Sequence, residues 1–125
     1  MEGTLQQQSI KVEDALAVQE LFYQNEWTDG LPVVPPTKDK IETMLETVPM
    51  DPQTIIGTIL ERGSVFTLEV AAINAVRAGC LPGYFPVVVT ALSAISDPAF
   101  GLHGPSASTH GPAILIIVNG PVAKS

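Results

Sequence analysis

The sequence predicts an α/β fold in which helices pack on a small sheet that another chain, or a missing C-terminal half, completes. Three observations lead to this prediction. Several segments repeat apolar residues at helical spacing. Two short runs, TIIGTIL (54–60) and AILIIV (113–118), are rich in β-branched residues and are typical of strands. One or two strands are too few for a sheet that is stable without further strands or a covering surface.

The N-terminal region is expected to contain an arm and one helix. Residues 1–10 are polar and are predicted to form a flexible arm, ahead of a single α/β domain or half-domain over residues 11–125. Apolar residues then recur at helical spacing as far as Asn25. The stretch EWTDGLPVVPPT (26–37) cannot continue this helix, because its prolines fix φ and lack backbone donors.

A second helix and the first strand follow. Thr37 is a candidate N-cap, and the apolar stripe after it ends at Pro49. The strand predicted over residues 54–60 is closed by Gly63.

Two more helices are predicted in the middle of the chain. Thr67 is a candidate N-cap for LEVAAINAVRAG (68–79), which has Glu69 in its first turn and Gly79 at its C-terminal stop. The run YFPVVVTALSAIS (84–96) has valines that suit a strand, but Pro86 near its start and the Asp-Pro pair after it favour a helix.

The most apolar segment of the chain is residues 113–118, which lie between two Gly-Pro pairs. A continuous apolar run of this length predicts a strand that is buried on both faces. Since one or two strands for four helices make an incomplete layer, we expect another chain, or a segment removed from this one, to supply the missing strands.

Composition narrows the function classes. The net charge is -7 and the six Lys and Arg are scattered, which argues against nucleic acid and anionic membrane surfaces as partners. Charged residues make up only 15% of the chain and apolar residues 46%, which suggests a large interface with a partner subunit. The single cysteine and the lack of a signal peptide pattern favour the cytoplasm.

Both histidines lie in the loop before the last predicted strand. His110 is a candidate acid/base or metal ligand, because loops supported by a sheet commonly carry functional groups. The alternative is that its imidazole caps a backbone group of the glycine-rich loop. His103 is a weaker metal candidate, since its spacing from His110 fits no zinc motif. A divalent or copper-type metal shared with a partner is the cofactor that these residues allow.

Other polar residues are candidate supporting groups for chemistry on a small molecule. Cys80 lies at a helix C-terminus, where the dipole disfavours a thiolate, so a buried structural role competes with a nucleophilic one. Asp29 could orient a substrate or form a turn before Gly30. Asn74 and Arg77 share one face of the third helix and either line a polar pocket or remain solvated.

Four stretches resemble a bacterial family found with, or fused to, proteins of the UGSC type, which are named for a Sec/Cys-Gly-Ser-Cys motif. The stretches are WTDGLPVVPPT, AAINAVRAGCLPGYFPVVVTAL, LHGPSASTHGPA and IVNGP, and together they span about residues 26 to 121. That motif suggests thiol or selenol chemistry in the UGSC proteins, while the resemblance itself implies kinship and not an activity. It also implies a continuation after the NGP strand into a glycine-rich segment and a further domain half. The UGSC motif is not in this sequence, so no dithiol role is carried over.

The resemblance also implies which positions matter. The family pattern maps onto Thr28, Asp29, Gly30, Pro35, Glu69, Asn74, Gly79, Cys80, Pro86, Thr109, His110, Asn119 and Gly120. We predict His110, Cys80, Glu69, Asp29 and Asn74 as the catalytic group. The predicted substrate-binding residues are Trp27, Thr109, Arg77 and Asn119.

These observations lead to three hypotheses. The first is a subunit, or a processed fragment, of a hetero-oligomeric enzyme that acts on a small molecule at the subunit junction through His110. The second is a noncatalytic assembly subunit, and the third is a homo-oligomeric small-molecule-binding domain. The residues leave the substrate and the reaction open, because one histidine and a few carboxylates suit acyl, thiol and carbon-heteroatom chemistry equally.

Overall fold

A computed structural model of the chain describes residues 5–124 and shows helices packed on a two-stranded antiparallel sheet. This confirms the α/β character of the fold. The predicted arm is described from residue 5 onward, and its residues 1–4, like residue 125, lie outside the described residues. The helices are α1 (Ala15–Gln24), α2 (Lys38–Leu45), α3 (Leu68–Arg77), α4 (Phe85–Ser96) and α5 (His103–Ala107), and the strands are β1 (Ile55–Ile59) and β2 (Ser64–Thr67).

Two helices begin at a side-chain cap, of which the sequence predicted the one at Thr67. Asp14 caps α1, with its Oδ1 accepting from the N–H of Ala17 at 2.8 Å. Thr67 caps α3, as its sequence position predicts, through a hydrogen bond to its Oγ1 from the N–H of Val70. Thr37 stands at the N-cap of α2 but its side chain makes no capping hydrogen bond. The segment 84–96 is helical, so the choice of helix over strand is confirmed.

The sheet is a hairpin of which the sequence revealed only the first strand. β1 pairs with β2 through a turn at residues 60–63, where Gly63 adopts a left-handed φ of 59°. The pairing has an irregularity between Ile55 and Gly57. β2 is four residues long and leads straight into α3, which explains why its residues carry no separate strand pattern.

The hydrophobic core lies between α2, α3, α4 and β1. Alanines at positions 71, 72 and 75 let α3 approach its neighbours closely, and Leu68 and Phe85 have no exposed surface. The remaining members of this buried cluster are Ile41, Met44, Leu45, Val48, Ile56, Val76 and Val89. The core therefore depends on α3 as its central element.

The prediction of a buried strand over residues 113–118 is wrong for the chain by itself. Residues 111–119 form no helix or strand, and every residue of this stretch is exposed. Leu115 and Ile117 keep 82% and 75% of their surface. A strand needs backbone partners on a neighbouring strand, and the two-stranded sheet does not reach this segment. The chain itself therefore leaves this apolar segment uncovered, and its cover by another chain stays a prediction.

None of the helices within residues 5–124 combines the length and the hydrophobicity needed to cross a bilayer.

Gly57 provides a test of the packing between β1 and α4. A methyl group at this position would overlap the ring of Phe66 and the hydroxyl of Ser96. We therefore expect Gly57→Ala to lower the free energy of unfolding by about 1–3 kcal/mol, as overpacking does. Denaturant unfolding measures the change. Gly83→Ala is the matched control, since a Cβ there meets nothing within 4 Å, and equal stability of the two variants would contradict the packing described.

Candidate functional site

The C-terminal ends of α1 and α3 have the same capping geometry. In α1 the N–H of Trp27 donates to the carbonyl of Phe22 at 2.9 Å, and that of Glu26 donates to Tyr23. These are the two hydrogen bonds of a Schellman motif, in which the residue after the C-cap is left-handed. Glu26 holds that position with φ 56°, although glycine is preferred there. The rings of Phe22 and Trp27 lie 5.6 Å apart and supply the apolar contact of the motif.

In α3 the same motif places Cys80. Gly79, with φ 76°, is the left-handed residue, and the N–H of Cys80 donates to the carbonyl of Ala75 at 2.9 Å. Gly79 also donates to Val76. The predicted stop at Gly79 is thereby confirmed. Cys80 is held by its backbone as the last residue of a helix cap, and its Sγ contacts the carbonyl of Leu81 at 3.4 Å.

Arg77 connects these two helix ends. Its Nη2 donates to the carbonyl of Trp27, and its guanidinium lies 5.3 Å from the centre of the Phe22 ring. Its backbone carbonyl accepts from the N–H of Val34 at 3.1 Å. A cation is favoured here because the C-termini of both helices carry partial negative charge. Among the described residues, the buried Nε of Arg77 has no hydrogen-bond partner.

The Thr28-Asp29-Gly30 turn is closed by its own side chains. Thr28 Oγ1 donates to the carbonyl of Leu31 at 2.8 Å and accepts from the N–H of Gly30. Asp29 Oδ1 accepts from the N–H of Leu31 at 3.2 Å, so Asp29 forms the turn that its position before glycine favours. The following segment is fixed to α1, because the amide of Gln19 donates to the carbonyl of Val33 and accepts from its N–H.

An open cleft of about 660 Å³ lies between α1 and this turn. Its lining includes the carboxyl groups of Asp14 and Glu20, the ring of Tyr23 and the backbone of Gly30. Asp14 is occupied as the α1 cap, and Glu20 accepts from the amide of Gln24. The cleft is therefore a surface depression whose acidic groups already have partners.

Glu69 is the most deeply placed of the predicted catalytic residues, with no exposed surface. Its carboxylate accepts backbone N–H bonds from Gln6 and Gln7 at 3.1–3.2 Å and a side-chain bond from Gln53. These donors satisfy a charge that would otherwise be costly to bury. Glu69 consequently fastens residues 6 and 7 of the predicted arm to the start of α3.

Asn74 lies on the exposed side of α3, where its amide donates to the carbonyl of Val70 one turn earlier. Glu69 and Arg77 are separated by eight residues of the same helix, or about 12 Å. The supporting residues predicted together are thus distributed along the whole of α3.

The two histidines lie beyond α4 on the exposed C-terminal part of the chain. His103 is the first residue of α5, and its carbonyl accepts from the hydroxyl of Ser106. His110 is exposed, and its Nδ1 is 2.9 Å from the hydroxyl oxygen of Ser108. Ser108 also accepts the backbone N–H of His110 at 3.1 Å. Thr109 and Asn119 are exposed on either side of the apolar segment.

The Ser108 and His110 pair is a feature that the sequence analysis missed. A serine hydroxyl can accept and donate at the same time, so Ser108 Oγ can accept the His110 N–H and also donate its own hydrogen to Nδ1 when that nitrogen is unprotonated. An imidazole in contact with a hydroxyl can take a proton from it or pass one to a ligand. The Ser-x-His spacing, which suits a side-chain turn, was the signal that could have found it.

The structure therefore brings together some predicted residues and leaves others apart. Trp27 and Arg77 are in contact, with Asp29 two residues away from Trp27. His110 makes no hydrogen bond or ion pair with Asp29, Glu69, Asn74 or Cys80 within residues 5–124. In the same range, no group of three or more His, Cys, Asp or Glu side chains is arranged to hold a metal ion. The catalytic, substrate and metal roles stay predictions.

Comparison of the chain with protein-family models, curated proteins and solved structures finds no match.

Glu69 provides a test of how the arm is attached. In Glu69→Gln an amide N–H₂ replaces one acceptor oxygen and faces donors, so we expect a loss of about 1–3 kcal/mol in the free energy of unfolding. The backbone amides of residues 6 and 7 should also exchange with deuterium faster. Glu46→Gln, at an exposed position, is the control. Unchanged exchange at residues 6 and 7 would show that the carboxylate does not hold the arm.

Cys80 provides a test of thiol reactivity. Desolvation by burial raises the pKa of the Cys80 thiol, so less of the reactive thiolate is present near neutral pH. We expect iodoacetamide to react with Cys80 several-fold more slowly at pH 7.5 than with an exposed cysteine. The increase of this rate with pH should also occur at a higher pH for Cys80 than for the exposed cysteine. Ala99→Cys in a Cys80→Ser background is the exposed comparison. A faster reaction at Cys80 would reveal an activated nucleophile.

Proposed function

We propose that this chain is one component of an enzyme assembled from more than one polypeptide, and that it contacts the other component through residues 113–118. His110, paired with Ser108, transfers protons to or from a small molecule at the junction. The partner carries the remainder of the fold, in keeping with the resemblance to UGSC-associated proteins. The assembly acts in the cytoplasm, where the single cysteine stays reduced.

One observation supports this proposal more than any other: the Ser108 and His110 pair directly precedes an apolar segment that its own chain leaves uncovered. His110 and the first residue of this segment are three positions apart, so whatever covers the segment also comes close to the imidazole. A partner would exclude water there, and it would add the groups that a catalytic histidine requires. A shared metal, bound through His110 or His103, would obtain its remaining ligands from the partner.

The exposed surface of the segment is large enough to matter energetically. The exposed fractions of its five largest side chains, from Ile114 to Val118, range from 43% to 82%. They amount to about three whole aliphatic side chains, which represent on the order of 5–9 kcal/mol when removed from water. Association itself costs about 4–15 kcal/mol. The segment can therefore offset much of the cost of binding, with backbone hydrogen bonds and neighbouring surface contributing the rest.

A noncatalytic assembly subunit is the second candidate, and the contacts of the supporting residues favour it. Glu69 holds the arm, Asp29 closes a turn and Cys80 ends a helix cap. Each has a structural partner that explains its residue type without chemistry.

Substitution of His110 separates the two candidates. We expect the complex purified from the source cells with His110→Ala to keep the partner at unchanged stoichiometry and to lose turnover about 100-fold or more, the usual contribution of a general acid or base. Mass spectrometry of small-molecule pools incubated with the complex measures turnover, and native mass spectrometry measures assembly.

Lys40→Ala is the control for this experiment, because Lys40 is an exposed residue of α2 that has no assigned role in the site. Full turnover by the His110→Ala complex would contradict the catalytic role and leave the assembly subunit as the better description. Loss of the partner in His110→Ala would assign this histidine to the interface.

A further inference from the structure

We infer that residues 113–118 enter the β-sheet of a different polypeptide as an internal strand, with neighbours on both edges and apolar layers on both faces. The inference rests on the proposed function in assuming that this segment joins the chain to its partner. It adds the kind of surface that the partner presents, and it excludes a second copy of this chain as that partner.

The backbone of the segment is the first reason. Within the part of the chain that is described, no hydrogen bond involves an N–H or C=O group of residues 111–119. Backbone groups removed from water must be paired. A helical groove or a flat apolar surface would cover the side chains and leave these groups unpaired, whereas neighbouring strands supply partners for all of them.

The side chains are the second reason. Four of the six residues are β-branched, which suits a strand, and six extended residues span about 20 Å. Successive residues of a strand face opposite sides, so Leu115 and Ile117 form one face and Ile114, Ile116 and Val118 the other. Both faces are apolar and both are exposed here. A strand of this kind is stable inside a sheet that is covered on both sides.

The sheet of this chain does not offer a matching edge, which argues against a second copy. The carbonyl of Ile56 on β1 already accepts from the hydroxyl of Ser93 on α4, and the β1 pairing is irregular between Ile55 and Gly57. β2 spans four residues and continues at once into α3. Each copy also carries a net charge of -7, so two copies repel each other, whereas a neutral or basic partner does not.

Size indicates that the contact extends beyond the segment. About three aliphatic side chains correspond to roughly 200–350 Å² of apolar surface at the usual transfer coefficient. A typical interface buries about 800 Å² on each partner. The partner therefore also covers neighbouring surface. One surface that it could cover is the groove of about 370 Å³ between β1 and the end of α4, which is lined by the exposed side chains of Ile55 and Leu60 and by polar residues such as Asp97.

The first experiment tests whether the partner is a second copy. Sedimentation velocity of the purified chain over a hundredfold concentration range should show a monomer, and amide hydrogens of residues 113–118 should exchange without protection. A dimer that Leu115→Asp dissociates would overturn the inference in favour of self-association.

The second experiment tests the two faces in the complex purified from the source cells. Leu115→Asp and Ile116→Asp lie on opposite faces of the strand, and each should reduce the stoichiometric partner at least tenfold. Leu16→Asp is the matched control, because Leu16 on α1 is 81% exposed and Leu115 is 82% exposed. Loss of the partner with only one of the two strand variants would indicate a helix or a one-sided contact, and would overturn the inference.

Hydrogen exchange in the intact complex tests the two edges. Amides at both odd and even positions of residues 113–118 should be protected at least 100-fold relative to the chain alone. Protection at alternate positions only would show pairing on a single edge and would contradict an internal strand.

Binding of phospholipid vesicles that Leu115→Asp abolishes, with no protein partner recovered, would overturn both this inference and the proposed function. Recovery of a protein partner that only one of the two variants, Leu115→Asp or Ile116→Asp, releases would overturn this inference and leave the proposed function intact.

Discussion

The fold depends on the burial of one short helix, α3, which is fixed at both of its ends. At its start, the buried carboxylate of Glu69 accepts hydrogen bonds from the arm and from Gln53. At its end, Arg77 reaches the carbonyl of Trp27. Between these ends the alanine-rich face of the helix packs into the core. The helices α2 and α4 and the strand β2 contact this helix directly, and Arg77 joins its end to the end of α1.

This arrangement explains why polar residues within an apolar sequence need not form an active site. A buried carboxylate and a half-buried guanidinium are expensive unless they are hydrogen-bonded. In this chain both have partners that join distant segments of sequence. Glu69 is more than sixty residues from Gln6, and Arg77 is fifty residues from Trp27. In a sequence, polar residues that fix long-range contacts look the same as catalytic residues, because residues of either kind are isolated polar positions in apolar segments.

The part of the chain after α4 does not share this core packing. After α4 the residues contact little of the core, and the apolar run from Ala113 to Val118 lies open to solvent. Because this run begins three residues after His110, the proposed interface and the proposed catalytic pair lie at one place in the chain. The proposed site would then be incomplete in the single chain and would form only when the segment is covered.

The sequence by itself determined the four main helices, the first strand, the Thr67 cap and the Gly79 stop, because each is set by local spacing and capping chemistry. It also singled out residues 113–118 as the most apolar segment of the chain, and this segment is exposed in the structure. Only the tertiary structure showed that β2 pairs with β1 and that Glu69 binds the arm. It also showed that Arg77 donates to the carbonyl of Trp27 after α1 and that His110 is hydrogen-bonded to Ser108. The first three are contacts between residues distant in sequence, and the fourth depends on the conformation of a loop. Neither leaves a periodic signal in the order of amino acids.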